Sequence, residues 1–414
     1  MSESSFNINE QERPVPYDHP DFDPRWKIEL MKEKGIEIPK RQEMMFLDEP
    51  LDEELQEYLG KDGSTGWLCL KHPLVFQVPY HEGMNAISNG SLKWKKEKLE
   101  EYRKKKKWGS IISVHERPFR WEALRSIFDE IGYCEMFWQL FGDVWTDTEN
   151  WQHEPQRSII AIWLQSDDVE NIRKGMMSVF HEDEWEKAWS KLPESMAVQR
   201  GWSRAGGFLG YSWTTDDKVS DKFAKRFSVI HNHGAYVAHG IAERDKAYSF
   251  LEDRSEAELF IHTKDVHLQF IENVGQVGDE QVRKWDEGSD TYSYDFDGCL
   301  HDCIGDTDNR WHDETPDDLE PHQNVIMKLR EQYEAGHNIA IVTARGISQV
   351  EQMLAFCRHY QIPVQRFYVT DDLPKDEVLH SLGPVCHYDD RHPDHNERAV
   401  CQWVRVTDGV IYDE

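Results

Sequence analysis

The chain has 414 residues, of which 38% are hydrophobic and 12% aromatic, and it carries a formal net charge of −30. A chain of this length exceeds what one hydrophobic core usually holds, so two or three domains are expected, and its apolar content excludes global disorder. The excess of 78 acidic over 48 basic residues excludes general coating of nucleic acid, because an evenly acidic surface repels phosphates.

The N-terminal segment and the cysteines predict a soluble intracellular protein. Residues 1–14 lack the basic-then-apolar layout of a signal peptide, and no apolar stretch approaches the length of a membrane span. The seven cysteines are scattered and form no paired CxxC motifs, which is typical of reduced thiols. We therefore expect a cytoplasmic protein with no membrane partner.

The first two-thirds of the chain predict a polar arm followed by an α+β domain. Residues 1–65 are polar and rich in proline, as in an arm or linker. Residues 66–275 contain apolar runs at both strand and helix spacing, which predicts an α+β domain. Within it, the run at 159–165 predicts a buried strand. Residues 93–108 predict a basic helix, either solvated with Glu–Lys pairs or in contact with phosphates.

After an acidic, glycine-containing linker at 276–290, strands and helices alternate through residues 291–414. This alternation predicts right-handed crossovers and a parallel sheet, so the expected fold class is α/β. The predicted strands are TYSY at 291–294, NIAIV at 338–342, VQRFYVT at 364–370 and VCHYDD at 385–390. The predicted helices cover Pro321–Ala335, Ser348–His359 and Lys375–Leu382.

These strands lead into residues that suit phosphoryl transfer. In an open parallel sheet, ligands bind beyond the carboxyl ends of the strands, so residues that follow different strands meet at one edge. In chain order the candidate residues are Asp295 and Asp297 with Gly298 after the first strand, Thr343 after the second, Lys375 at the start of a helix after the third, and Asp389 and Asp390 at the end of the fourth.

The chemistry of phosphoryl transfer gives each side chain a role. One carboxylate attacks phosphorus, and Asp297 protonates the leaving oxygen and later activates water. Thr343 and Lys375 hold the transferring oxygens. Mg²⁺ prefers hard oxygen ligands, and Asp295 with Asp389 or Asp390 would supply them.

The segment DFDG at 295–298, followed by Thr343, Lys375 and the pair at 389–390, resembles the four motifs of the haloacid dehalogenase (HAD) superfamily. This resemblance implies a HAD-like Rossmannoid domain at 291–414, with Asp295 as nucleophile and Asp297 as general acid and base. It also implies that the backbone carbonyl of Asp297 helps to bind Mg²⁺. The intervals between the motifs leave no room for a large cap domain, so an open site is expected.

The layout looks most like the 3′-phosphatase domains of bacteriophage polynucleotide kinase-phosphatases. A viral origin is a separate hypothesis, which rests on the resemblance of the arginine-SWT-FA layout in the middle segment to bacteriophage proteins and would place the chain in the host cytoplasm. The sequence contains no GxxxxGK[ST] loop, so the kinase half is absent. The resemblance implies a nucleotide or a nucleic-acid end as substrate. A small phosphorylated metabolite stays an alternative, because the segment is itself acidic.

A fainter pattern at 197–262 resembles the Arg–Ser–Glu class of mono-ADP-ribosyltransferases. Its elements are an arginine, Arg200, with Arg204 as a competing choice, then SWT at 212–214, then an ExE before a strand. The resemblance implies NAD as co-substrate and a protein as the acceptor of ADP-ribose. The family's STS is SWT here, and the interval between the arginine and the serine is short.

Within this resemblance each polar residue has a chemical reason. Arg200 would neutralise the NAD pyrophosphate, and Ser212, with Thr214 in the same triplet, would support the catalytic carboxylate. Glu258 would stabilise the oxocarbenium ion, and Glu256 would orient the nucleophile. The alternative is a β-rich binding module in which the two glutamates alternate on a solvent face.

Three histidines near the fourth motif, His387, His392 and His395, have irregular spacing, which favours solvated or rim positions over metal ligation.

Taken together, the two resemblances predict a HAD-type phosphatase fused to a transferase-like domain. The alternatives are a phosphatase with a non-catalytic N-terminal module, and a non-catalytic interaction protein with a vestigial phosphatase fold.

Overall fold

The computed structural model divides the chain into two compact units, residues 1–167 and 168–414. Several residues named above, among them Arg204, His392 and His395, lie outside the described part of the chain, as does most of the predicted arm. The structure describes residues 26–35, 37–38, 49–63, 66–147, 154–181, 184–203, 210–231, 234–251, 256–277, 280–302, 319–371, 373–391 and 401–412.

The first unit is mainly helical, with a small antiparallel sheet. Its strands are β1 (Leu59–Lys61), β2 (Leu68–His72) and β3 (Val75–Gln77), which pair in that order. Its helices are α1 (Trp26–Glu33), α2 (Glu53–Gln56), α3 (Asn85–Lys104), α4 (Trp108–Val114), α5 (Arg120–Ile131), α6 (Glu135–Asp147) and α7 (Glu154–Gln165).

Helix α3 is the predicted basic helix, and its charges are arranged as Glu–Lys pairs. Glu101 accepts from Lys98 at 2.7 Å and from Lys105 at 2.8 Å along the same helix. Lys95 pairs with Glu116 of a neighbouring segment at 2.6 Å. The helix buries Leu92 on its inner side, and most of its charged residues are exposed. This arrangement fits the first of the two interpretations, a solvated helix with Glu–Lys pairs.

The strand predicted at 159–165 is wrong, because these residues belong to helix α7. Ile160, Trp163 and Leu164 are 0%, 5% and 3% exposed, whereas Ile162 is 60% exposed. Burial at positions i, i+3 and i+4 with an exposed residue between them is the helical period. The buried face of α7 packs into an aromatic cluster, in which Trp163 meets Phe137 edge to face at 5.2 Å.

The second unit contains a mixed 12-stranded sheet among its described residues, which confirms the α/β fold class. The strands are β4 (Ser195–Trp202), β5 (Ser212–Thr214), β6 (Tyr236–Glu243), β7 (Ser249–Leu251), β8 (Glu258–Phe260), β9 (Val266–Asn273), β12 (Thr291–Tyr294), β13 (Asn338–Thr343), β14 (Arg366–Val369), β15 (Cys386–Asp389), β16 (Gln402–Thr407) and β17 (Val410–Tyr412). Their order in the sheet is β17-β16-β15-β12-β13-β14-β9-β6-β4-β5-β8-β7. A separate hairpin contains β10 (Gln276–Val277) and β11 (Glu280–Gln281).

Strands β12 to β16 run parallel to one another, whereas β4 to β9 are antiparallel and β17 is an antiparallel edge strand. The two parts join where β14 pairs with β9, with Phe367 opposite Ile271. One sheet therefore contains both the phosphatase-like and the transferase-like segments. The domain boundaries predicted from the sequence stay predictions.

The helices of the second unit cover the sheet with apolar faces. Helices α11 (Gln323–Glu334) and α12 (Val350–His359) contribute to the main core of the unit, in which Leu329 and Phe356 pack with Ile341 of β13. Helix α10 (Asp217–His231) packs on β4. The remaining helices are α8 (Val169–His181), α9 (Trp185–Ser190) and α13 (Asp376–Leu382). No helix in the described part of either unit is long and apolar enough to cross a membrane.

Close packing of α10 on β4 depends on Gly201. A Cβ added there would lie 1.9 Å from the backbone oxygen of Ser220 and 2.8 Å from the backbone nitrogen of Ala224. Both atoms belong to the backbone of α10, so neither can move aside without displacing the helix.

We expect Gly201→Ala to destabilise the second unit by at least about 1–3 kcal/mol, the usual cost of overpacking. The free energy of unfolding from urea titration measures this. Gly288→Ala is the matched control, because Gly288 is exposed, and it should change the value by less than about 0.5 kcal/mol. Equal effects of the two substitutions would contradict this account of the packing.

Candidate active site

The candidate residues of the C-terminal segment meet at the carboxyl ends of the parallel strands. Asp295 directly follows β12, Thr343 ends β13 and Asp389 ends β15. The register places Tyr294 of β12 opposite Ile341 and Tyr388, so the three strands end at the same level. Lys375 lies at the N-cap of α13.

The centre of this site is the buried ammonium group of Lys375. Its Nζ lies 2.8 Å from Asp295 Oδ1 and 2.7 Å from Asp389 Oδ2. The side chains of Lys375, Asp295 and Asp389 are 2%, 10% and 0% exposed. The lysine thus bridges two carboxylates that come from different strands.

Asp295, Asp389 and Asp390 form a compact carboxylate cluster, with one oxygen of each within 4.8 Å of the others. Burial raises the pKa of Asp295 to about 7; Lys375 opposes this rise and Asp389 adds to it. Burial also raises the pKa of Asp389, but hydrogen bonds from His387 and Lys375 and their charge outweigh it and hold the pKa below its usual range. Lys375 therefore offsets only part of the cost of burying the Asp295 carboxylate.

This donor set fits a hard divalent cation such as Mg²⁺. Lys375 contacts two of the three carboxylates, and Arg391 Nε lies 3.6 Å from Asp389 Oδ2. Mg²⁺ prefers oxygen ligands of this kind. Asp295 Oδ1 is buried and has no hydrogen-bond partner with good angles, although it lies within ion-pair distance of Lys375. A buried carboxylate oxygen in that state favours a cation beside it.

Gly298 allows the cluster to pack tightly. Its φ is +68°, and a Cβ there would lie 2.3 Å from Asp390 Oδ2. Both the backbone conformation and the contact therefore require glycine. The DxDG pattern thus has a steric reason in this chain: the turn after β12 approaches the carboxylate that follows β15.

Asp297 is held by two partners that the sequence reasoning did not identify. Arg345 Nη2 donates to Asp297 Oδ1 at 2.7 Å, and Nε donates to Oδ2 at 2.9 Å. His301 Nε2 lies 3.1 Å from Asp297 Oδ1. Burial raises the pKa of Asp297, but the close contact with His301 and the hydrogen bonds from Arg345 outweigh it and lower the pKa to about 2. Asp297 is therefore ionised at neutral pH.

Thr343 lies at the same edge and is fully buried. Its Oγ1 accepts a hydrogen bond from the backbone N–H of Arg345 at 3.3 Å. This contact uses the hydroxyl as an acceptor and leaves its own proton for donation. The arginine could have been suspected from the sequence, because it follows Thr343 by two residues in the loop after β13.

The expectation that His387 is a solvated or rim residue is wrong. The side chain is 0% exposed, and its Nε2 lies 3.2 Å from Asp389 Oδ2. Its Nδ1 lies 2.9 Å from Ser293 Oγ. Residue 387 is in the middle of β15, whose side chains are all buried, and spacing relative to the later histidines gave no sign of this.

The transferase-like residues lie on paired strands in the antiparallel part of the sheet. Thr214 of β5 pairs with Glu258 of β8, and Ser212 lies on the same face two residues before Thr214. Thr214 Oγ1 donates to the backbone oxygen of Glu256 at 2.6 Å. The structure therefore brings these four residues into one neighbourhood.

Arg200 is on the adjacent strand but on the other face of the sheet. Gln199 pairs with Thr214, so the next residue along β4 points to the opposite side. Arg200 is 6% exposed, and its Nη1 donates to the backbone oxygen of Ser212 at 2.6 Å. The register thus does not bring the Arg200 side chain together with that of Glu258.

We expect Lys375→Met to destabilise the second unit by about 3–5 kcal/mol, because it leaves two carboxylates buried without their shared countercharge. Added Mg²⁺ should recover part of the loss. Thermal unfolding with and without Mg²⁺ measures both effects. Lys328→Met is the matched control: its side chain is 45% exposed, and the change should stay below about 0.5 kcal/mol. A Lys375→Met protein as stable as the control would contradict the charge balance described above.

No protein-family model and no curated protein matches this chain. Two solved structures resemble part of it, and both describe a Pnkp1/Rnl/Hen1 RNA repair complex. The first has 18% identity and a TM-score of 0.24, and the match covers 31% of this chain and 46% of the other. The second has 17% identity and a TM-score of 0.24, with coverage of 33% and 52%. The chain therefore spans about half the length of each of these neighbours, and similarity this weak supports no inference about function.

Proposed function

We propose that the chain is a Mg²⁺-dependent phosphatase that transfers a phosphoryl group to Asp295 and then to water. The observation that carries this proposal is the buried Lys375 bridge between Asp295 and Asp389 at the carboxyl edge of a parallel sheet. A nucleophilic carboxylate, a fixed cation and a divalent-ion cluster are the parts that such a reaction needs.

Mg²⁺ would be held by Asp295, by Asp389 or Asp390, and by the backbone carbonyl of Asp297. When bound, the ion would reduce the repulsion between the Asp295 carboxylate and the phosphate oxygens. Lys375 adds positive charge at the same place without a change in protonation, because burial opposes its charge but Asp295 and Asp389 outweigh that effect and raise its pKa. The Thr343 hydroxyl retains a proton that can be donated to a phosphate oxygen.

The reaction has two steps. In the first, an oxygen of Asp295 forms a bond to phosphorus, the bond to the leaving oxygen breaks, and that oxygen takes a proton from Asp297. In the second, Asp297 takes a proton from water, the water oxygen bonds to phosphorus, and the bond to Asp295 breaks. Because Asp297 is ionised in the free protein, the acid step requires an incoming phosphate dianion to raise its pKa.

We propose a nucleotide or the phosphorylated end of a polynucleotide as substrate, since the interval after the first motif is too short for a large cap. The alternative is a small phosphorylated metabolite, with the preceding segment as a non-catalytic binding module. NAD-dependent transfer to a protein acceptor stays a prediction outside this proposal, because Arg200 and Glu258 lie on opposite faces of the sheet. Transfer of labelled ADP-ribose by the wild type and not by Glu258→Gln would establish it.

We expect Asp295→Asn to abolish Mg²⁺-dependent hydrolysis of an aryl phosphate, because an amide oxygen cannot replace the carboxylate nucleophile. Steady-state release of the phenolate, with circular dichroism to verify folding, is the measurement. Asp290→Asn serves as the control, since that side chain is 64% exposed and outside the site. Retained activity in a folded Asp295→Asn protein would refute the proposal, as would equal loss in both variants.

The substrate classes are separated by comparing kcat/KM for a 3′-phosphorylated oligonucleotide, a nucleoside monophosphate and a hexose phosphate. We expect at least about a tenfold preference for the nucleotide substrates, which corresponds to about 1.4 kcal/mol of transition-state binding. A preference for the hexose phosphate would favour the metabolite alternative.

A further inference from the structure

We propose that His387 is a positioning residue that, together with Ser293, fixes the Asp389 carboxylate for divalent-cation binding. The inference rests on the proposed function, since it concerns the same metal site. Nothing in the reaction described above uses His387, and its side chain is completely buried.

The sheet register places His387 next to both Ser293 and Asp389. Ser293 of β12 is directly opposite His387 of β15, and directly opposed residues point to the same face. Asp389 follows two residues later on the same strand and therefore shares that face. The imidazole thus lies between the serine hydroxyl and the carboxylate, 2.9 Å from Ser293 Oγ and 3.2 Å from Asp389 Oδ2.

A third strand restrains the ring from the other side. Trp403 of β16 is opposite His387 in the register, and the two rings meet edge to face at 4.7 Å. The imidazole is therefore fixed by packing as well as by hydrogen bonds. A ring held on three sides can orient its neighbour without losing further conformational entropy.

The two contacts define one neutral tautomer. If Nε2 carries the proton, it donates to the Asp389 carboxylate, and Nδ1 accepts the proton of the Ser293 hydroxyl. Asp389 Oδ2 then accepts hydrogen bonds from Lys375 and His387, with Arg391 Nε at 3.6 Å, while Oδ1 accepts from the backbone N–H of Arg391 at 3.0 Å. Donors on both oxygens prevent the carboxylate from rotating.

A residue that donates a hydrogen bond to a metal-binding carboxylate affects the affinity of the site for the metal ion. Carboxylates that bind metal ions are usually held by a further hydrogen bond, and loss of that partner typically weakens metal binding about 10–100-fold. We therefore expect loss of His387 to lower the affinity of the site for the ion. Loss of Lys375, in contrast, removes a charge from the cluster itself.

The test is the affinity of the full-length chain for Mn²⁺, used as the probe for Mg²⁺ and followed by the electron paramagnetic resonance of the free ion. His387→Asn keeps a polar group near the position of Nδ1 but is too short to reach Asp389. His387→Gln places an amide N–H near the position of Nε2 and restores the donor. We expect His387→Asn to bind Mn²⁺ about 10–100-fold more weakly than the wild type, and His387→Gln to recover most of the affinity.

Equal affinity of wild type and His387→Asn would overturn the proposal, as would equal weakening in both variants, which would indicate disturbed packing only. If His387→Asn does not fold, the Mn²⁺ affinity of Ser293→Ala tests the proposal instead. This variant removes the hydroxyl that fixes the tautomer, and wild-type affinity in it would also overturn the proposal.

The measurement separates this inference from the proposed function. A wild-type chain that binds no Mn²⁺ would refute the metal site and the inference together. A wild type that binds Mn²⁺ and hydrolyses phosphate, with His387→Asn unchanged in both properties, would refute the positioning role alone. Weaker binding in His387→Asn with full activity at saturating Mn²⁺ supports it.

Discussion

The second unit depends on one buried interaction, the Lys375 ammonium between Asp295 and Asp389. Three carboxylates at the end of a sheet repel one another, and burying two of them, Asp295 and Asp389, is costly unless a cation is shared between them. The lysine lies 2.8 Å and 2.7 Å from two of them, and it comes from the start of α13. The strand ends and this helix are thus held together by charge as well as by apolar packing. A divalent cation would offset the negative charge of the carboxylates that remains.

The sheet explains why residues far apart in sequence meet. Parallel strands place their carboxyl ends side by side, so Asp295, Thr343 and Asp389 reach one edge without a specific long-range contact to bring them there. Outer partners then fix the side chains: Arg345 fixes Asp297 on one side, and His387 fixes Asp389 on the other. Neither of these outer partners contacts Asp295 or Asp390. A bound ion would therefore add positive charge beside these two carboxylates.

The sequence predicted the parallel part of the fold well, because apolar runs and helical periods alternate there and each polar residue follows a strand. It did not reveal Arg345, His301 or His387 as partners of the aspartates, since these pairs depend on side-chain directions that spacing does not encode. The error at 159–165 has a similar origin: a short apolar run fits a strand and a buried helix equally well, and the exposed Ile162 distinguishes them only in three dimensions.

In the antiparallel part of the sheet, the linear motif did not predict the directions of the side chains. The order of Arg200, Ser212 and Glu258 resembles a known pattern, yet a single register, Gln199 opposite Thr214, determines that the arginine points to the other face. Strand pairing of this kind is invisible in a linear motif, because a shift of one residue reverses every side chain. The motif residues of the parallel part avoid this ambiguity, since they lie at strand ends and in loops.

In the proposed reaction Asp295 itself carries the phosphoryl group. Acid quenching during turnover of a phosphorylated substrate with Mg²⁺, followed by peptide mass spectrometry, tests this directly. We expect one added phosphoryl group on the peptide that contains Asp295, at that residue, and none in Asp295→Asn. A phosphoryl group on a different residue, or turnover in which water attacks without any adduct at Asp295, would contradict it.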